Sequence, residues 1–155
     1  MKVNLCVVGR LRAGPEKALI DDYLARFDKT GRALGLTLGQ VLEIEDRKGG
    51  GMSAEADLLR KAQRAGALWV MDERGTVMSS PQFADAIAAQ RDAGIGDLTL
   101  MIGGADGLDP DLRASADRAL SFGAMVWPHM LARVMLAEQL YRAASILAGS
   151  PYHRI

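Results

Sequence analysis

Residues 152–154, Tyr-His-Arg, place an aromatic ring, a titratable imidazole and a permanent cation side by side. Such a trio suits a nucleic acid, with Arg154 holding a phosphate and Tyr152 stacking on a base; the alternative is a frayed terminus. Upstream, Glu138 and Arg142 stand four residues apart in the order that favours a helical ion pair. On a buried or interface helix that pair is desolvated and can orient Arg142 toward the tail. Two further stretches offer bare backbone. Gly103-Gly104-x-x-Gly107 lets main chain approach a ligand closely, or serves as a tight strand-to-helix turn. Phe122-Gly123-Ala124-Met125-Val126-Trp127-Pro128 combines small residues, open amides and apolar side chains, a combination able to hold an adenine ring; a core strand with a glycine bulge is the alternative.

Several chemistries are disfavoured by pattern. His129 and His153 lie far apart and lack a local carboxylate pattern, so a metal centre is not expected. The glycine spacing is not that of a dinucleotide-binding turn, and there is no Walker-type phosphate loop or G-x-S-x-G nucleophile elbow.

The elements that must carry these residues alternate along the chain. Residues 2–9 read as a first strand and 15–34 as a helix, with Leu19, Ile20, Tyr23, Leu24 and Phe27 at helical spacing after Pro15. A second strand is expected at 36–45, followed by a charged glycine-rich loop and a helix capped by Ser53 that runs to about Arg64. Ala67–Met71 reads as a buried parallel strand with a loop, Asp72-Glu73-Arg74-Gly75, at its carboxyl end. Ser80-Pro81 opens a helix to about Asp92, residues 97–102 form a strand, and Asp109-Pro110 starts a short helix. A short final strand and a bend fall in 119–127. Pro128 then begins a helix to about Ala148, apolar over most of its circumference and therefore buried or packed on a partner chain. Strand–helix alternation throughout predicts an α/β domain spanning 1–155 with a mainly parallel sheet. In such sheets ligands bind beyond the carboxyl ends of strands, which selects the loops after Met71, after Ile102 and around Phe122–Pro128.

Composition frames these expectations. The chain is 49% hydrophobic and 25% charged, as expected of a globular protein. No apolar run approaches the roughly 18–20 residues of a membrane span, and the opening stretch is too short and polar for a signal peptide. The single Cys6 allows no internal disulfide, which points to a reducing cytoplasm. Lys and Arg balance Asp and Glu at 19 each, which by itself speaks against a nucleic-acid binder. The total hides a layout of +3 over residues 1–66 (twelve basic, nine acidic) and −5 over 67–118 (four basic, nine acidic). Basic side chains and both histidines then prevail after residue 118.

Leu100–Leu108 (LMIGGADGL), Pro128-His129-x-x-x-Arg133, Glu138-Gln139-Leu140-Tyr141-Arg142 and Pro151-Tyr152-His153-Arg154 resemble, in order and spacing, the RlmH type of large-subunit ribosomal RNA methyltransferase of the SPOUT class. The resemblance covers essentially the whole chain. It implies a SPOUT-type sheet with helices on both faces and a C-terminal trefoil knot, a topology that periodicity does not show and that general rules of chain threading disfavour. It also implies a cytoplasmic homodimer that binds S-adenosylmethionine (SAM) and methylates N3 of a pseudouridine in the helix 69 loop of 23S rRNA within the assembled 70S ribosome. No membrane or metal is implied. Carried over by position, the cofactor would meet Met71, Gly103, Gly123, Ala124, Met125, Val126, Trp127 and Pro128. His153 and Arg154 would serve catalysis at the partner's cofactor, with Arg133, Arg142 and Tyr152 binding substrate. Where family members commonly carry smaller or aliphatic residues, this chain has Trp127. A neutral enzyme aimed at one assembled particle gains by not adhering to RNA at large. A non-catalytic nucleotide-binding ribosome-assembly factor and a small-molecule methyltransferase are the rival readings.

Overall fold

The computed structural model describes residues 1–154. Five strands, β1 (Lys2–Val8), β2 (Thr37–Ile44), β3 (Ala67–Val77), β4 (Asp97–Ile102) and β5 (Arg118–Ser121), form one sheet in the order β2-β1-β4-β3-β5. Every neighbouring pair is parallel. Parallel strands require crossovers, and four helices supply them: α1 (Pro15–Gly31), α2 (Gly51–Ala62), α3 (Ser80–Asp92) and α4 (Pro110–Ala114); a fifth, α5 (His129–Leu147), follows the last strand.

The central strands are apolar on both faces because helices cover both. Val3, Leu5 and Val7 of β1 join Trp69, Leu98 and Leu100 in the larger core, which α1, α3 and α5 close. Their alternates Cys6 and Val8 join Val70, Met101 and Leu112 in a smaller core under α2 and α4. Buried Trp69 tilts against Phe83 at 6.1 Å, with the Arg118 guanidinium 5.2 Å from its ring centre. Thr99 on β4 is fully buried and its hydroxyl has no partner among the described residues. Removing that orphan group should help: Thr99→Val is expected to raise stability by about 1 kcal/mol, read as a higher urea midpoint at fixed protein concentration.

Two local expectations are corrected. The second helix starts at Gly51 with Gly50 in the N-cap position, so Ser53 lies inside the first turn and caps nothing. Strand β3 does not end at Met71. Met71 and Thr76 both pair with Leu120, so residues 72–75 loop out of the ladder and the strand resumes to Val77. A Cβ on Gly75 would lie 2.7 Å from the backbone of Ala119 and Leu120, and only glycine lets the bulge close there. No helix of the described residues is long and apolar enough to cross a membrane.

Candidate active site

The strand order brings the carboxyl ends of β3, β4 and β5 together, although β5 is an edge strand and α5 begins above β1. A cleft of about 250 Å³ opens where the three following loops meet. Met71, Gly103, Gly123, Met125, Val126 and Trp127, all expected from sequence, line it; Ala124 and Pro128 lie on the same exposed loop without lining the cleft.

Each wall has a local cause. Gly103 is buried at the end of β4, where a Cβ would meet the backbone of Gly107 at 2.6 Å. The turn is pinned by the Gly107 N–H donating to the Gly104 carbonyl at 3.1 Å, with Gly107 at φ +82°. Beyond it, Asp109 Oδ1 accepts the N–H groups of Asp111 and Leu112 at 3.0 and 3.1 Å and so caps α4. At the third loop, Ser121 Oγ lies 3.1 Å from the carbonyls of Glu73 and Gly123, and accepts the Gly123 N–H at 3.1 Å. The hydroxyl thereby joins the β3 bulge to the start of residues 122–128. The backbone groups of residues 124–127 have no hydrogen-bond partner among the described residues, so their donors and acceptors are open to a ligand.

Polar residues that sequence reading passed over also face the cleft. Asp72, whose side chain is 5% exposed, accepts from the backbone N–H of Arg74 (2.9 Å), Arg74 Nε (3.3 Å) and Arg113 Nη1 (3.5 Å). Burial works against its ionisation, yet these donors outweigh burial and hold the carboxyl below its ordinary range. It therefore ties the β3 bulge to α4 as a carboxylate. His129, on the first turn of α5, completes the lining. Behind Gly104, burial and the neighbouring Asp106 and Asp46 raise the Glu55 carboxyl. The only sequence signal for Asp72 was its place just past a buried strand; for His129 it was its place in the Pro128-His129-x-x-x-Arg133 spacing.

The tail lies elsewhere. Tyr152, His153 and Arg154 do not line the cleft; Tyr152 and His153 pack along the middle of α5. Glu138 Oε1 accepts from Arg142 Nε and Nη2 (2.9 and 2.5 Å) and from the Tyr152 hydroxyl (3.0 Å). Burial, followed by that carboxylate, pushes the Tyr152 phenol well above its usual range, so it stays protonated. The Tyr152 ring sits 4.5 Å from that of Tyr141 and 4.8 Å from the Arg142 guanidinium. Arg142 Nη1 is 3.3 Å from His153 Nδ1. Guanidinium has no acceptor, so this contact is a hydrogen bond only when Nδ1 is unprotonated, which leaves the proton on Nε2. The tail is an anchored segment with the exposed Arg154 beyond it, not a frayed end. Glu138→Ala should release it: amide hydrogen exchange of residues 150–154 is expected to speed up about 10-fold or more, with the urea midpoint of the domain nearly unchanged.

Arg133, expected to bind substrate, lies inside the fold. It is 6% exposed, and its Nη2 donates to the carbonyls of Val8 and Gly9, both at 2.5 Å, while Nη1 meets Glu43 Oε2 at 3.3 Å. It does not line the cleft. Its guanidinium is spent on main-chain carbonyls and one carboxylate.

Around the cleft mouth, Met125, Val126 (84% exposed), Trp127, Met130 and Leu131 form an exposed apolar stretch. It runs toward a groove of about 390 Å³ between α1, α3 and α5, lined by Leu19, Tyr23, Met78, Phe122 and Met135 among others. Apolar surface of this extent marks an interaction site.

A parallel sheet flanked by helices, with a glycine-walled cleft at the ends of its last three strands, is the architecture of SPOUT methyltransferases, and the chain belongs to that family: the model described as "Predicted SPOUT methyltransferase" matches residues 1–153. The fold likeness extends to a probable methylase family protein from Haemophilus influenzae, with a TM-score of 0.52 and 14% identity, covering 99% of this chain and 70% of that one. Within the class the chain is a member of the ribosomal RNA large subunit methyltransferase H family. It is 72% identical to the protein of that name from Dinoroseobacter shibae and 69% identical to that from Ruegeria pomeroyi, each over 100% of both chains.

Proposed function

We propose that this protein is a SAM-dependent methyltransferase acting on large-subunit ribosomal RNA, and that its target is N3 of a pseudouridine in the helix 69 loop of 23S rRNA within the assembled 70S ribosome. One observation carries the cofactor reading: three strand-end loops, one of them with unpaired backbone over residues 124–127, converge on a single cleft. The residues fit the group. Glycine at 103 leaves the cradle open, the free main chain of 124–127 can read an adenine edge, and Asp72 and Glu73 offer negative charge near a cationic donor. The rRNA reading is supported by the names of the relatives, and the pseudouridine and its position by the EQLYR and PYHR resemblance.

When bound, the donor supplies an electrophilic methyl carbon on a positively charged sulfur. The protein's own task is placement and proton management. The N3–H proton would pass to solvent water, so that the freed nitrogen electron pair can form the new N–C bond in place of the donor's S–C bond. Where the Arg142 contact is a hydrogen bond, His153 turns an Nε2–H donor toward the developing anion. Arg154 adds a permanent charge for that anion or for a flanking phosphate.

The anchored tail leaves the cleft of its own chain unserved, and the apolar stretch beside that cleft is uncovered. Both features favour a homodimer in which each tail serves the partner's cleft. The resemblance adds a C-terminal trefoil knot, and a ribosomal target favours a cytoplasmic protein.

The test is methyl incorporation from labelled SAM into 70S ribosomes, free 23S rRNA and ribosome-free controls, beside calorimetry and sedimentation. Binding of SAM, transfer to 70S particles at one pseudouridine and a mass near twice 16.6 kDa are expected. Binding without transfer would favour an assembly factor. Transfer to a small molecule alone would overturn the ribosomal assignment.

A further inference from the structure

Arg133 is the buried guanidinium of this fold, and its surroundings explain why a charge is kept there. Burial disfavours its ionisation and Glu43 favours it. The same Glu43 oxygen accepts the Leu11 N–H at 2.5 Å, so one carboxylate joins the β1–α1 turn to Arg133. Gly9, at φ +90°, turns the chain so that two successive carbonyls fall on one guanidinium nitrogen. A Cβ on Gly9 would stand 3.6 Å from Arg133 Nη2 and 3.7 Å from His129 Nε2. The first two turns of α5 are therefore docked on the end of β1.

That dock matters because, among the described residues, no side-chain capping bond holds the helix start. Pro128 holds the N-cap position and makes no side-chain capping bond. The preceding strand β5 lies three places away in the sheet. Three inter-strand spacings come to roughly 14 Å, whereas the seven residues 122–128 reach at most about 24 Å. The cleft wall is thus a partly drawn-out strap between Ser121, tied to the β3 bulge, and Arg133, tied to β1. Moving the second anchor by one or two ångströms reshapes residues 124–127, whose backbone is the open part of the cleft.

We propose that Arg133 is a positioning residue for the methyl-donor pocket, acting through the first turns of α5 on the 122–128 wall and not by touching RNA. The inference rests on the cofactor reading of the cleft. Arg133→Lys keeps the charge but cannot span two carbonyls and a carboxylate at once. It should weaken calorimetric SAM binding about 10- to 100-fold, with kcat at saturating SAM and the KM for 70S ribosomes within about twofold of wild type. Glu43→Gln, which leaves the arginine in place, should weaken SAM binding about 3- to 10-fold. Both are measured on the full-length protein, with circular dichroism reporting the folded fraction. Wild-type SAM affinity in a folded Arg133→Lys protein, or a raised ribosome KM with unchanged SAM affinity, overturns the proposal. So does a loss that merely tracks the folded fraction. If Arg133→Lys does not fold, Glu43→Gln decides, and wild-type SAM affinity there overturns it equally. Failure of the wild-type protein itself to bind SAM would instead refute the cofactor reading.

Discussion

Gly103→Ala is expected to lower SAM affinity by about 100-fold or more, the largest effect anticipated from a single methyl group in this protein. The added carbon would sit 2.6 Å from Gly107 C and O and 3.0 Å from Leu108 N. All three are backbone atoms and cannot swing aside as a side-chain end can, so the 103–108 turn must open. Overpacking of this kind costs about 1–3 kcal/mol of stability, and most of the displacement falls on a wall of the cleft. Gly107→Ala is the matching control: nothing lies within 4 Å of its Cβ, and its cost comes from φ +82°. That variant should lose about 1 kcal/mol or somewhat more in stability while keeping much more of its SAM affinity. Calorimetry on both, beside their thermal midpoints, separates local closure from general destabilisation. Equal affinities would show that the β4 turn is not the wall of the donor site.

Arg154→Ala is expected to reduce methyl transfer to ribosomes about 100-fold or more, with SAM affinity within about twofold of wild type. The reasoning is positional. Tyr152 and His153 are held on α5 through Glu138 and Arg142, so the exposed cation that follows projects from a fixed base. A guanidinium held in this way is ready where negative charge develops, without first ordering a loose tail. Arg154→Lys should recover part of the loss, because it keeps the charge and forfeits the planar fork. Single-turnover transfer at saturating SAM, compared with ribosome KM, distinguishes stabilisation of the anion from capture of a phosphate. Turnover equal to wild type in Arg154→Ala would remove this residue from the mechanism.

Much of the fold was legible because its signals are local. Helical spacing of Leu19, Ile20, Tyr23, Leu24 and Phe27 marks α1, and the apolar run at 67–71 marks the buried part of β3. What escaped was set by partners distant in sequence. The continuation of β3 to Val77 exists because Thr76 finds Leu120, and glycine at 75 permits the approach. Ser53 has the composition of a cap, yet the helix begins before it. Arg133 was expected at the substrate because it follows His129 in a recognisable spacing. Its actual partners are the main chain of Val8 and Gly9, more than 120 residues away.

By itself, the sequence determined the strand–helix alternation, the three loops able to carry a ligand, the Glu138–Arg142 pair and the family. These depend on periodicity, turn chemistry and residue order, which act over a few positions. Only the tertiary structure decided the order β2-β1-β4-β3-β5, and with it the convergence of those loops on one cleft. It also decided that one arginine of α5 is buried as an anchor while another orients the tail. Those outcomes follow from burying two apolar faces of a single sheet and from satisfying main-chain carbonyls across long loops, and such requirements are met only when the whole chain packs.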